Sequence, residues 1–207
     1  MTQADEDKKR LRKQAAIMRK QAFDAMPDAP ARIADYAPML QTRYAPKIIA
    51  AFWPIRTEID PIPLLAALCQ SGATSCLPVT GQEGKPLTFH QWEIGSQLAD
   101  GPYHTKEPFG DTAIVIPDLI LAPLLAFDAG CWRLGYGGGF YDRTIATLQA
   151  AGHQPHLVGV AFDETMVSHV PTGPYDKALS AVLTPSGLKL PLSKNDQIIR
   201  DDQVISD

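Results

Sequence analysis

Between positions 133 and 143 the chain reads Arg133-Leu134-Gly135-Tyr136-Gly137-Gly138-Gly139-Phe140-Tyr141-Asp142-Arg143, and four of its 15 glycines fall within five residues of that string. Glycines tolerate positive φ and let the backbone approach a ligand closely. Upstream, Asp118-Leu119-Ile120-Leu121-Ala122-Pro123 is a short apolar run that reads as a buried strand. Downstream, residues 144–151 follow at once with the pattern of an amphipathic helix. Strand, glycine-rich turn and helix in that order make an anion cradle, because the amides at a helix N-terminus point at bound phosphate. Two common nucleotide loops do not fit. A dinucleotide fingerprint begun at Gly135 needs glycine where Phe140 stands, and a Walker loop needs Gly-Lys-Ser/Thr, whereas Gly84-Lys85 is followed by Pro86.

Residues 5–26 read as one helix. At about 100° per residue, Leu11, Ala15, Met18 and Ala22 form an apolar stripe, with Lys8, Arg12 and Arg19 on a second stripe beside it. Lys9, Lys13 and Lys20 project away as a solvated face. Lys8 and Arg12, at the edge of the buried stripe, fit either that face or a neighbouring cleft. Proline-containing breaks at 26–30 and 37–38 bracket a second helical piece ending near Tyr44. Residues 47–53 then form a strand between Pro46 and Pro54. Ile55-Arg56-Thr57-Glu58-Ile59-Asp60 sits at its carboxyl end, the edge where open α/β sheets bind ligands. Asp60 can serve as the N-cap of a short helix with Pro61 at its first position, a local task that Glu58 lacks.

Further along, a short helix over 61–70 leads to a buried strand over 73–79, where Cys76 reads as packing. A turn follows over 81–86 and a weakly alternating edge strand over 87–92. The polar segment 101–110 reads as a loop, its Glu107-Pro108 pair a structural clamp. Asp142 falls in the first turn of the helix after the glycines, where the dipole favours a carboxylate in any case. Arg133 suits either phosphate or an ion pair with Asp128 across the preceding turn. Strands at 156–161 and 181–183 close the pattern, the latter preceded by Pro174-Tyr175-Asp176-Lys177. His153 and His156 lack a carboxylate cluster at ligand spacing and read as surface residues. From Ser193 onward the tail is polar and acidic. Alternating strands and helices predict an α/β sandwich with a mostly parallel sheet.

At 207 residues the chain suits one domain, 1–207, and 45% hydrophobic with 20% charged residues is ordinary for a globular protein. A net charge of −4 offers nothing to nucleic acid. The apolar runs 48–53 and 119–127 are too short to span a bilayer, and the charged N-terminus lacks a secretory core. Three cysteines without CxxC spacing suit a reducing cytosol, so a cytoplasmic location is expected.

Taken whole, Arg133-Leu134-Gly135-x-Gly137-x-Gly139 with a following aromatic, Tyr141 and Asp142, after a turn holding Phe127, Asp128 and Gly130, resembles the 5-formyltetrahydrofolate cyclo-ligase family, also called 5,10-methenyltetrahydrofolate synthetases. The likeness runs from Lys8 to about Leu183. Many members have Tyr where this chain has Phe140, and usually Thr where Pro61 follows the acids. The resemblance implies a three-layer α/β/α sandwich of the sugar-phosphate isomerase and CoA-transferase kind. It implies ATP-dependent conversion of 5-formyltetrahydrofolate to the 5,10-methenyl form. It places ATP on Lys8 and Arg12, which match the family's Lys-x-x-x-Arg, and on Arg133, Leu134, Gly135, Tyr136, Gly137, Gly138, Gly139, Phe140 and Tyr141. It places the pterin against Ile55 and the acidic pair Glu58 and Asp60, without choosing between them, with Tyr136 and Phe140 able to flank a flat ring. It gives Mg²⁺ to Asp142 and Asp176, and a monomer or weak homodimer is expected. The rival readings are a sugar-phosphate isomerase on a related scaffold, which would need no ATP, and a non-catalytic relative that binds folate or nucleotide.

Overall fold

The computed structural model describes residues 3–192; the expected polar tail, 193–207, lies outside the described residues. Helix α1 (Gln3–Ala25) leads into two short helices, α2 (Ala29–Ala34) and α3 (Ala37–Tyr44), each with a proline in its first turn. Pro30 and Pro38 therefore start helices where the sequence pattern reads breaks, because a first-turn residue has no intrahelical N–H bond to lose. Strand β1 (Ile48–Ala50), helix α4 (Ile62–Cys69), β2 (Thr74–Val79) and β3 (Thr88–Gln91) follow. A small ribbon then pairs β4 (Ala99–Asp100) with β5 (Lys106–Glu107). Strands β6 (Ile114–Val115) and β7 (Leu119–Pro123) precede a second ribbon of β8 (Ala126–Phe127) and β9 (Arg133–Leu134). Helix α5 (Phe140–Ala150), then β10 (His156–Val160), β11 (Ala181–Thr184) and β12 (Gly187–Lys189), complete the order.

The main sheet runs β12-β11-β10-β7-β1-β2-β3-β6. Its inner strands β11, β10, β7, β1 and β2 are parallel, and the outer ones join antiparallel. In register, Ile49 lies opposite Leu119 and Ala50 opposite Ile120 and Cys76, so neighbouring side chains of each strand go to opposite faces. Ile49, Leu119, Leu121, Val158 and Ala181 pack with α2, α3 and α4 residues such as Ile33, Leu40 and Leu65. Ala50, Ile120, Ala122, Leu157 and Val182 pack on the other side with Phe127 and Ile145 of α5. Both faces are covered, which is why these strands read as unbroken apolar runs. The fold is thus α/β with a large, mostly parallel central sheet and helices on both faces.

Two details position the site. The β8–β9 ribbon stands between β7 and α5, so the strand feeding the glycine turn is β9 and not the apolar run 119–123. Helix α1 spans two packing clusters: Ala22 joins the helical layer, while Ala15 and Leu11 pack on Leu125, Ala126 and Leu134 of the ribbon. The N-terminal half of α1 is thereby held beside the glycine turn.

Candidate active site

The strand expected over 47–53 is shorter, Ile48–Ala50, and Phe52, Trp53 and Ile55 continue into the wall of a cavity of about 810 Å³. Pro78 near the end of β2, Thr80 just after it, and Pro123 ending β7 line it too, so it opens at the carboxyl ends of the parallel strands. Lys8, Arg12, Glu58, the stretch from Arg133 to Asp142, and Asp176 all border the same space. A shallower pocket of about 430 Å³ lies by Trp92 and Phe109; its lining holds no cation.

At the glycine turn, Arg12 Nε donates to the Gly135 carbonyl at 2.9 Å. Gly137 has φ +103°, and a Cβ there would stand 3.3 Å from the Arg12 guanidinium carbon. The positive φ favours glycine at this position, and a side chain there would also press on that cation. Gly139, at φ +63°, is the entry residue of α5, and Arg143 Nη2 donates to the Gly138 carbonyl at 2.7 Å.

Arg133 does not pair with Asp128. Asp128 Oδ1 accepts the N–H groups of Gly130 and Trp132, and Oδ2 accepts that of Val170, so its carboxylate is committed to closing the ribbon turn. Arg133 instead donates to Asp142 Oδ1 at 2.6 Å and to the Lys177 carbonyl at 2.6 Å. Lys8 Nζ donates to Asp176 Oδ2 at 2.6 Å, which also accepts the Gly173 N–H. Lys177 N–H donates to Asp142 Oδ1, tying the two candidate metal carboxylates to one corner of the cavity. Asp142 Oδ2 and Asp176 Oδ1 take no hydrogen bond among the described residues. Two partly exposed carboxylates, each with one oxygen spare, would suit a Mg²⁺ ion that draws its other ligands from phosphate and water.

The second group surrounds Glu58, which is 6% exposed. Its Oε2 accepts the Ile55 N–H at 2.8 Å and its Oε1 accepts the Tyr136 hydroxyl at 2.9 Å. Burial raises the Glu58 carboxyl above the usual range, opposed by those hydrogen bonds and by Arg19 and Arg56. The Tyr136 phenol is raised too, by burial first and by Glu58 next. Asp60 is not on the cavity: its Oδ1 accepts the Ile62 N–H at the start of α4, one residue later than the sequence pattern placed the helix. Of the acidic pair, the structure brings only Glu58 to the other candidate residues. Phe140 meets Tyr103 edge-on at 5.8 Å, with the Arg143 guanidinium 5.2 Å from its ring centre. Tyr141 lines the cavity and packs against the core on the α5 side of the sheet.

A model of the 5-formyltetrahydrofolate cyclo-ligase family matches residues 4–185. The chain belongs to this family. It is 35% identical over 163 residues to the 5-formyltetrahydrofolate cyclo-ligase of Escherichia coli K12, covering 76% of this chain and 86% of the relative. To the cyclo-ligase of Mycolicibacterium smegmatis it is 34% identical over 152 residues, covering 67% and 74%. Its fold is that of the 5,10-methenyltetrahydrofolate synthetases of Aquifex aeolicus (TM-score 0.64, 22% identity, 85% and 92% covered) and Mycoplasma pneumoniae (TM-score 0.65, 20% identity, 85% and 97% covered). Membership makes the chain an ATP-dependent ligase of one-carbon metabolism and disfavours the isomerase reading.

Several residues on or beside the cavity carry no mark in the sequence pattern. Thr80, Tyr103 and His104 reach it from the ends of β2 and the β4–β5 ribbon. Glu107 borders it as well, its Oε1 accepting the Thr80 N–H at 3.1 Å, which is the clamp expected of it. Arg19, assigned no task by its place on the helical wheel, is 4% exposed and lies against Glu58; its alignment with Lys8 and Arg12 was the one available signal.

Proposed function

We propose that the large cavity is where the cyclo-ligase reaction runs, with ATP along the glycine turn and the pterin of 5-formyltetrahydrofolate against Glu58. The observation that carries this reading is the Arg12 guanidinium lying on Gly135 and Gly137 in the same cavity as the Glu58 carboxylate. The N5-formyl carbon is a poor electrophile and its oxygen a poor leaving group. The enzyme transfers the γ-phosphoryl of ATP to that oxygen, releasing ADP; N10 then attacks the formyl carbon, loses its proton and expels phosphate, leaving the 5,10-methenyl cation.

Such a transfer asks a protein for positioning and charge neutralisation more than for a covalent nucleophile. Lys8 and Arg12 supply positive charge, and the turn from Gly135 to Gly139 supplies backbone donors. Arg133 acts on the phosphates largely through Asp142, since both terminal nitrogens are engaged and its side chain is 5% exposed. Asp142 and Asp176 would hold Mg²⁺, which neutralises phosphate charge when bound. Glu58 accepts N–H donors of the pterin, Ile55 gives an apolar contact, and Tyr136 and Phe140 border the bound rings. Asp60 acts through α4 and not on the substrate. One domain carries the whole site. Three free cysteines, with Cys76 pushed up to about 12 and Cys131 to about 11 chiefly by burial, are consistent with a reducing cytosolic setting. The test is direct: purified protein mixed with 5-formyltetrahydrofolate gains methenyl absorbance with Mg·ATP and none without it. No gain under either condition removes the reading.

A further inference from the structure

We propose that Arg19 is a positioning residue that holds the Glu58 carboxylate and the Tyr136 ring in one fixed arrangement facing the cavity, so that the pterin site and the glycine turn are set together. This rests on the reading that Glu58 meets the pterin. Arg19 lies seven positions after Arg12, about two helical turns, and so on the same face of α1. Where Lys8 and Arg12 border the cavity, Arg19 is sunk behind it at 4% exposure.

Three contacts define its place. Nε donates to the Thr57 hydroxyl at 3.1 Å. Nη1 stands 3.6 Å from Glu58 Oε1, close enough for ion pairing and just too long for a hydrogen bond. The guanidinium carbon lies 5.4 Å from the centre of the Tyr136 ring, and the Tyr136 hydroxyl donates to the same Glu58 oxygen. Nη1 has no hydrogen-bond partner although it is buried. A buried donor left unpaired is costly, and a buried ion pair is poor support for a fold compared with apolar packing. The arrangement is therefore better explained by what it does to Glu58 and Tyr136 than by stability.

Its effect is electrostatic and geometric. The groups facing Glu58 are Arg19 from α1, Arg56 from its own loop, Tyr136 from the glycine turn and Tyr141 from α5, whose phenol Glu58 helps to raise. Burial already favours the protonated carboxyl, and Arg19 is one of two cations opposing it. Without Arg19, Glu58 takes up its proton at higher pH, and one of its two oxygens turns from an acceptor for the pterin N–H groups into a hydroxyl donor.

Titrations of Arg19→Gln with 5-formyltetrahydrofolate and, separately, with Mg·ATP across pH test this. The expected result is a folate affinity weaker than wild type, by about tenfold where the effect is greatest, that recovers only at a higher pH than in wild type, with Mg·ATP affinity within about twofold of wild type. Arg19→Lys is expected to restore most of the folate affinity at neutral pH. A folded Arg19→Gln protein with the wild-type pH profile, or one losing folate and Mg·ATP equally at every pH, overturns the proposal. Should the charge deletion not fold, Thr57→Val removes only the hydroxyl that Arg19 donates to. A smaller loss in the same direction, about threefold, is then expected, and folate binding identical to wild type overturns the proposal. Wild-type protein that binds no folate in the same titration overturns the cyclo-ligase reading as well; wild-type binding that is indifferent to these substitutions overturns the role of Arg19 alone.

Discussion

The cation–carboxylate pairs near the glycine turn and the pair behind Glu58 are built for opposite purposes. Lys8–Asp176 has side chains 18% and 27% exposed, and Asp142 keeps 26% exposure beside Arg133. The side chains of Arg19 and Glu58 are only 5% and 4% exposed. Charges that border open space can change partners when a phosphate or cation arrives. Charges enclosed by protein cannot, so they hold a geometry. One helix supplies both kinds, Lys8 and Arg12 at its N-terminal half and Arg19 further along.

The contrast is broken most severely by Glu58→Ala, which leaves the Arg19 charge buried alone. A loss of about 3–5 kcal/mol in urea unfolding is expected, against a much smaller loss for a substitution at the Lys8–Asp176 pair. Next, Arg12→Ala removes the cation lying on Gly135 and Gly137. A fall of about 100-fold in kcat/KM for Mg·ATP is expected from steady-state kinetics, with unfolding nearly unchanged. Asp142→Asn is expected to raise the KM for Mg·ATP by about tenfold and to leave folate affinity in a direct titration intact. Equal loss of both would show that Asp142 supports the whole site and not its phosphate side.

A fourth test uses pH. Glu58 has a carboxyl raised in the folded state, chiefly by burial, so the folded chain holds this proton more firmly than the unfolded chain. Its contribution to stability is complete below the ordinary glutamate range and is lost as pH rises through the raised value. Unfolding free energies of Glu58→Gln measured across that window are expected to lack this decline. The smallest effect is expected of Lys8→Gln, less than about 1 kcal/mol in stability, with its consequence confined to Mg·ATP binding. A large stability loss there would mean that the Lys8–Asp176 pair belongs with the enclosed kind.

Much of this was legible in the residues themselves. The strands β7 and β10 announced themselves as apolar runs because both faces of the sheet are covered. The apolar stripe of α1 and its exposed lysines followed from helical geometry alone. Pro30 and Pro38 misled because proline signals a boundary without saying on which side of it the helix lies. Arg133 left two readings open, phosphate or Asp128, and the structure removes only the second: Asp128 is near in sequence, but its oxygens are taken by the turn it closes.

The sequence by itself determined that a glycine-rich turn runs directly into a helix, the pattern of a candidate anion cradle, and that Lys8 and Arg12 would share a helical face. Those properties depend on local backbone freedom and on the helical repeat. Tertiary structure alone decided that the cradle meets that face, that Glu58 and not Asp60 reaches the cavity, and that Arg19 is buried against Glu58. Each of these depends on how segments far apart in the chain are brought together by the packing of α1 on the β8–β9 ribbon and on the helical layer, which no spacing within one segment records.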